Sequence, residues 1–119
     1  MTTKETIETY YNGLNQKKGW ESVIADNMVF NGPKTKTKGK DAYVQATIGF
    51  LQVVQAVQIN NLIIDGERAC AIAHYGLLSP KGNTSNCDIA EVFSVKNGKI
   101  ESSAIFFDTA AFREFMVQG

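Results

Sequence analysis

Four runs of alternating apolar and polar residues fill the second half of the chain, and turn signals separate them. "VQINNLII" meets Asp65-Gly66, "RACAIAHYGLL" meets "PKGNTS", "CDIAEVFSV" meets Asn97-Gly98, and "IESSAIFF" ends at Asp108. A period of two marks a strand with one face buried, and Asp-Gly or Asn-Gly between such runs marks a hairpin. Everything after about Val54 is therefore expected to form a four-strand antiparallel meander. Such a sheet must bury one face, and the residues to cover it lie upstream.

Residues 3–17 place Ile7, Tyr10, Tyr11 and Leu14 at the i, i+3, i+4, i+7 spacing of one helical face. Thr3, Glu5 and Thr6 offer an N-terminal cap without a clean capping box, and Gly19 ends the element. "WESVIADN" reads as a second short helix with Trp20, Val23 and Ile24 on one side. "MVF" reads as a short strand stopped by "NGP". A basic loop with Lys34, Lys36, Lys38 and Lys40 follows. Asp41 to about Leu51 then forms a third helix with Tyr43, Ala46, Thr47 and Phe50 on one stripe. "DTAAFREFM" closes the chain as a short helix capped by Asp108. Helices followed by a meander give an α+β fold, with helices wrapped on one face of a curved antiparallel sheet. A twisted sheet covered in this way encloses a conical space.

At 119 residues the chain is expected to be a single domain, residues 1–119, with a core that needs neither disulfides nor metals. Twelve basic residues balance twelve acidic ones, which gives no pull toward nucleic acid or an anionic membrane. No apolar run approaches the roughly 18 residues of a membrane span, and the N-terminus lacks the apolar core of a signal peptide. Cys70 and Cys87 lie in strand-like segments without metal-site spacing. They are expected to be buried free thiols in a reducing, cytoplasmic compartment. No metal or cofactor motif is present.

"CDIAEVFSV" raises one question. Its apolar face, Cys87, Ile89, Phe93 and Val95, carries Glu91 at its centre. The partners of Glu91 depend on turn length. A two-residue Gly82-Asn83 turn sets Glu91 opposite His74, on a face with Cys70, Ile72, Gly76 and Leu78. A loop one residue longer brings Tyr75 or Ala73 there instead. At Asn97-Gly98, a two-residue turn sets Ala104 and Phe106 beside Glu91. A three-residue loop with a bulge sets Ser103, Ile105 and Phe107 there.

"GWESVIADNMVFNGP", the "GKDAY" helix start, and "AEVFSVKNGKI" followed by "FFD" resemble the SnoaL-like group. That group lies in the nuclear-transport-factor-2-like superfamily, with the ketosteroid isomerases and polyketide cyclases. The resemblance spans about Thr3 to Phe115. It implies a cystatin-like cone with a pocket inside, and a homodimer through the outer sheet face. Glu91 matches the buried acid that binds the oxyanion in the isomerases. Tyr11 matches their hydrogen-bond-donating tyrosine, with Tyr10 as the alternative. The isomerases' general-base aspartate falls on Gly32, next to Asn31. The cyclases' acid/base aspartate falls on Ile105 and a nearby histidine on Ser103. The standard proton-transfer residues of both groups are therefore replaced.

These readings define the candidate site. Glu91 is the acid or hydrogen-bond donor, Tyr11 a second donor, and His74 a proton relay. Tyr10, Trp20, Phe30, Phe50, Phe93, Ser103, Ile105 and Phe107 are the candidate ligand contacts. The expected partner is a small apolar molecule bearing an oxygen function. The function is isomerase- or cyclase-type proton transfer or, alternatively, binding or dimerisation without chemistry. A cone filled by Phe30, Phe50, Phe93 and Phe107 is the third option.

Overall fold

The computed structural model describes residues 1–118. Its elements run α1 (Thr3–Gln16), a 3-10 turn (Trp20–Val23), β1 (Ile24–Asn31), β2 (Lys36–Lys38), α2 (Lys40–Leu51), β3 (Val54–Asp65), β4 (Arg68–Leu78), β5 (Thr84–Lys96), β6 (Lys99–Phe106) and α3 (Thr109–Gln118). The expected meander is β3 to β6. It is part of a six-stranded sheet in the order β2-β1-β6-β5-β4-β3. The sheet is mixed, because β1 pairs parallel to β6 while every other pair is antiparallel.

α1 starts at a capping box one residue earlier than expected. Thr2 accepts from the Glu5 backbone N–H, and the Glu5 carboxylate accepts from the Thr2 N–H. Its apolar face buries Ile7, Tyr10, Tyr11 and Leu14 against the sheet. The helix end is pinned to the edge strand β3, where the Asn15 amide both donates to and accepts from the Val57 backbone. Gly13 lets the chain turn back closely: a Cβ there would fall 2.5 Å from the Trp20 backbone nitrogen. The segment after Trp20 is helical for only one turn. From Ile24 it extends into β1, whose long-range parallel pairing with β6 outweighs the local helical pattern.

Two registers decide which residues face the core. The β4–β5 loop spans Ser79 to Asn83, and Leu78 pairs with Thr84. Ser79 N–H donates to the Asn83 carbonyl, and Asn83 N–H donates to the Ser79 hydroxyl, so the loop is closed on itself. Compared with a two-residue turn the register moves by three, an odd number, which reverses the faces. Glu91 consequently lies opposite Ala71, and His74 opposite Asp88. The inner face of β4 is Ala69, Ala71, Ala73, Tyr75 and Leu77. The expected set of Cys70, Ile72, His74, Gly76 and Leu78 lies on the outer face. Cys70 and Cys87 are half-buried rather than buried.

At the β5–β6 hairpin the turn has two residues, Asn97 and Gly98, both with positive φ. One extra residue in β6, Glu101, is bulged out between the Val95–Ile100 and Ser94–Ser102 pairs. The bulge has the same effect on register as a third loop residue. It brings Ser103 opposite Phe93 and Ile105 opposite Glu91. Asp108 caps α3 by accepting from the Ala111 N–H at 3.0 Å, as expected. Among the described residues no helix is long and apolar enough to cross a membrane.

Candidate functional site: a carboxyl in an apolar cone

α1, α2 and α3 cover the concave side of the sheet and leave a cavity of about 340 Å³. That lies at the lower end of the ~300–1,000 Å³ common for small-molecule sites. Tyr10 and Leu14 of α1, Phe30 of β1, Tyr43 and Phe50 of α2, and Tyr75 of β4 form much of its wall. Ile89 and Glu91 of β5, Ile105 of β6, Phe107, and Phe112 and Met116 of α3 add to it, and the Gly32–Thr35 turn also lines it. The cavity rules against a cone filled by phenylalanine. Phe30 lies tilted on Tyr43, Phe50 on Tyr75 and Phe112, and Phe107 edge-on to Phe112, so these rings line the space without closing it.

Glu91 is 3% exposed. The Tyr11 hydroxyl donates to one carboxyl oxygen at 2.9 Å, and the Ser103 hydroxyl donates to the other. α1 supplies the first donor because its buried face is aimed at the centre of β5. The Glu101 bulge supplies the second by turning Ser103 inward. Burial pushes the carboxyl up to about 7, against the opposing pull of the Ser103 and Tyr11 hydrogen bonds. Four buried tyrosines surround it. Tyr10 and Tyr43 share a hydrogen bond between their hydroxyls. Burial first, and the Glu91 charge as a further contribution, hold Tyr10, Tyr11, Tyr43 and Tyr75 well above the ordinary phenol range. All four are therefore fixed as neutral hydroxyls.

Several expected site residues lie elsewhere. His74 cannot relay protons to Glu91, because the reversed register puts it on the outer face, bonded to Asp88 at 2.7 Å and Asn86 at 3.2 Å. Trp20 does not reach the cavity. It is sealed at 1% exposure beneath the close approach to Gly13, edge-on to Tyr43. Phe93 is likewise core, packed edge-on to Tyr10 and Tyr11. Ser103 touches Glu91 but does not line the cavity. Tyr11 also stands behind the wall, so it acts on Glu91 and not directly on the cavity contents. Tyr10 lines the cavity, and its hydroxyl hydrogen-bonds to that of Tyr43. Tyr43 and Tyr75 were not among the candidates. The α2 stripe held Tyr43, and the longer-loop alternative for the β4–β5 turn already placed Tyr75 on the face of Glu91. Among the described residues no cluster of His, Cys, Asp and Glu could hold a metal ion.

The family model of the SnoaL-like domain matches residues 7–103. The chain is a SnoaL-like domain. It belongs to the nuclear-transport-factor-2-like superfamily that its sequence resembles. No curated protein matches the chain at a significant level. Solved structures share the fold at low identity. TerC, co-crystallised with polyporic acid, is 19% identical with a TM-score of 0.84, over 98% of each chain. An NTF2-like protein from Burkholderia pseudomallei is 15% identical with a TM-score of 0.85, over 96% of each chain. The LEH-like epoxide hydrolase of M. tuberculosis is 16% identical with a TM-score of 0.81, over 98% of this chain and 90% of that one. At such identities the likeness carries the fold alone.

Proposed function

We propose that this SnoaL-like domain binds a small, mostly apolar molecule in its cone, with an oxygen function of that molecule directed toward Glu91. One observation carries the reading: a buried carboxyl lies in a mostly apolar cavity wall, with both oxygens held from behind by Tyr11 and Ser103. Burying an acid there costs stability that an apolar side chain would not. The acid is also balanced near neutral pH between a hydrogen-bond donor and an acceptor, which suits it to a ligand carbonyl or hydroxyl. The structural neighbour crystallised with polyporic acid supports the idea that this scaffold admits a small organic molecule.

Catalysis is the second reading, and the same near-neutral carboxyl favours it, because a general base works best near the ambient pH. Glu91 would then move a single proton between two positions of one bound molecule. It would do so without the acid/base aspartate of either enzyme group, since Gly32 and Ile105 stand at those positions, line the cavity and have no ionisable side chain. For epoxide hydrolysis the family resemblance implies a polar Asp–Arg–Asp cluster in the cone, which neither arginine of the chain supplies. Arg68 and Arg113 are exposed and outside the cavity wall.

A thermal-shift screen with flat ketones, phenols and fatty acids tests the binding reading, because a ligand of the folded form alone raises Tm. Hits on the wild type should persist in Glu91→Gln and vanish in Glu91→Leu for the oxygen-bearing ligands. Unchanged hits in Glu91→Leu would remove Glu91 from the site. Turnover of any hit by the wild type, lost in Glu91→Gln, would select the catalytic reading.

A further inference from the structure

The two ends of the cavity differ in charge. Two of its lining residues carry ionisable groups that can be charged near neutrality, Glu91 and Lys34. Glu91 is buried at the closed end. Lys34 is exposed, in the Gly32–Thr35 turn that forms one lip of the mouth. Beside it α3 contributes Phe112 and the exposed Met116 to the lining. The Lys34 ammonium does not stand free in water. It lies over the Phe112 ring, 5.9 Å from the centroid, and so overhangs the aromatic wall. Among the described residues no ion pair is found for it; the salt bridge there is His74–Asp88, on the other face of the sheet. A ring face is a weak substitute for an anion, and a ligand anion at the mouth can displace it.

An anionic ligand therefore has one favourable orientation. With its charge at the closed end it would be stripped of water beside another acid, among rings that return little for the loss. With its charge at the mouth it stays partly hydrated and meets a cation that has no ion pair among the described residues. We propose that the cavity takes amphipathic organic monoanions head-out, with the apolar body along Phe30, Phe50 and Phe107 and the anionic group on Lys34. The proposal rests on the reading of the cone as a ligand site and narrows its substrate class to apolar acids. A neutral carbonyl or hydroxyl at the far end of such a molecule is the group that would reach Glu91. Lys36 and Lys38 belong to β2 and do not line the cavity, so the selectivity belongs to Lys34 rather than to the basic run as a whole.

Two fluorescent probes of nearly equal shape test this. 8-Anilinonaphthalene-1-sulfonate carries an anionic group, and N-phenyl-1-naphthylamine is the same framework without it. Both are titrated against the full chain as wild type, Lys34→Gln and Lys36→Gln. The sulfonate should lose about fivefold in affinity in Lys34→Gln, the size of one partly exposed charge pair, while the neutral probe is unchanged. Lys36→Gln should alter neither. Added salt should weaken the sulfonate alone, and only in proteins that keep Lys34. Equal sulfonate binding in the wild type and Lys34→Gln would overturn the assignment, and equal loss in Lys36→Gln would do the same. In both cases binding of the neutral probe would leave the cone standing as a ligand site. Failure of both probes to bind the wild type would overturn the cone as a ligand site along with the Lys34 assignment.

Discussion

Glu91 and His74 sit three rows apart on the same two strands, on opposite faces of one sheet. Each has two hydrogen-bonding neighbours, Tyr11 and Ser103 for Glu91, and Asp88 and Asn86 for His74. Each titrates above its ordinary value, yet the causes are opposite. Glu91 is raised because burial denies its charge water, against the pull of its hydrogen-bond partners. His74 is raised because the Asp88 hydrogen bond, and then the Asn86 hydrogen bond, stabilise its charged form in a solvent-facing position. The first shift reports an apolar enclosure and the second reports a neighbour. Only the first is evidence of a site, and the two can be separated by pH, mutation and salt.

The largest expected effect is the pH dependence of stability set by Glu91. Its folded value of about 7 lies above the ordinary 4.5, so between those values the folded chain holds a proton that the unfolded chain has released. The stability linked to this proton is fully present below about 4.5, falls as pH rises, and is gone above about 7. A shift of that size corresponds to about 3 kcal/mol. Denaturant unfolding of the wild type and Glu91→Gln across this range isolates the contribution, because glutamine does not titrate. The difference between the two proteins should change by that order. A difference that stays flat would mean that Tyr11 and Ser103 satisfy an ordinary carboxylate, and the enclosure argument would fail.

A smaller effect is expected from Tyr11→Phe. The substitution keeps the ring that packs edge-on to Tyr10 and Phe93, and removes the donor to one Glu91 oxygen. A buried acceptor left unpaired costs about 1–3 kcal/mol, with the larger cost when it is charged. The loss should therefore be greater at pH 8 than at pH 5, and the Glu91 midpoint should move further up. Equal losses at both pH values would show that the tyrosine hydroxyl does not act through the carboxylate.

The contrast between the two faces also marks where the sequence could be read and where it could not. The meander, the three helices and the burial of Glu91 follow from local periodicity, and Tyr11 follows from helical spacing and the family resemblance. The partner of Glu91 across β4 depends on loop length. The five-residue loop from Ser79 to Asn83 is closed by a serine hydroxyl and a backbone carbonyl, which have no short motif comparable to Asn-Gly. That one loop put Ala71 in place of His74 opposite Glu91 and decided for the face that carries Tyr75. On the other side, one of the two registers left open at Asn97-Gly98 names the residues beside Glu91 for a neighbouring reason: it puts an extra residue in the turn, and that residue sits three residues later as the Glu101 bulge. The parallel pairing of β1 with β6 joins segments about 75 residues apart and leaves no local trace. Charge at the cavity mouth was visible as a lysine run. Only the fold separates Lys34 from its neighbours.

The smallest expected effect is on the exposed pair. His74 and Asp88 keep 42% and 67% of their side chains accessible, so the Coulomb gain is screened and the cost of fixing both side chains offsets much of it. Any stability the pair contributes is present below the ordinary histidine value and is lost as pH rises through the raised one. Asp88→Asn should leave the unfolding midpoint unchanged within measurement while the His74 titration falls toward 6.5. His74 is the chain's single histidine, so its imidazole resonances identify it without assignment. Raising salt to about 0.5 M brings the screening length well below 10 Å. It should lower the His74 midpoint in the wild type and barely move it in Asp88→Asn. The Glu91 midpoint, followed through the stability difference from Glu91→Gln, should stay in place, because burial and not a charged neighbour sets its shift. If salt moved both midpoints together, Glu91 would be responding to charge and not to enclosure, and the two faces would no longer differ in kind.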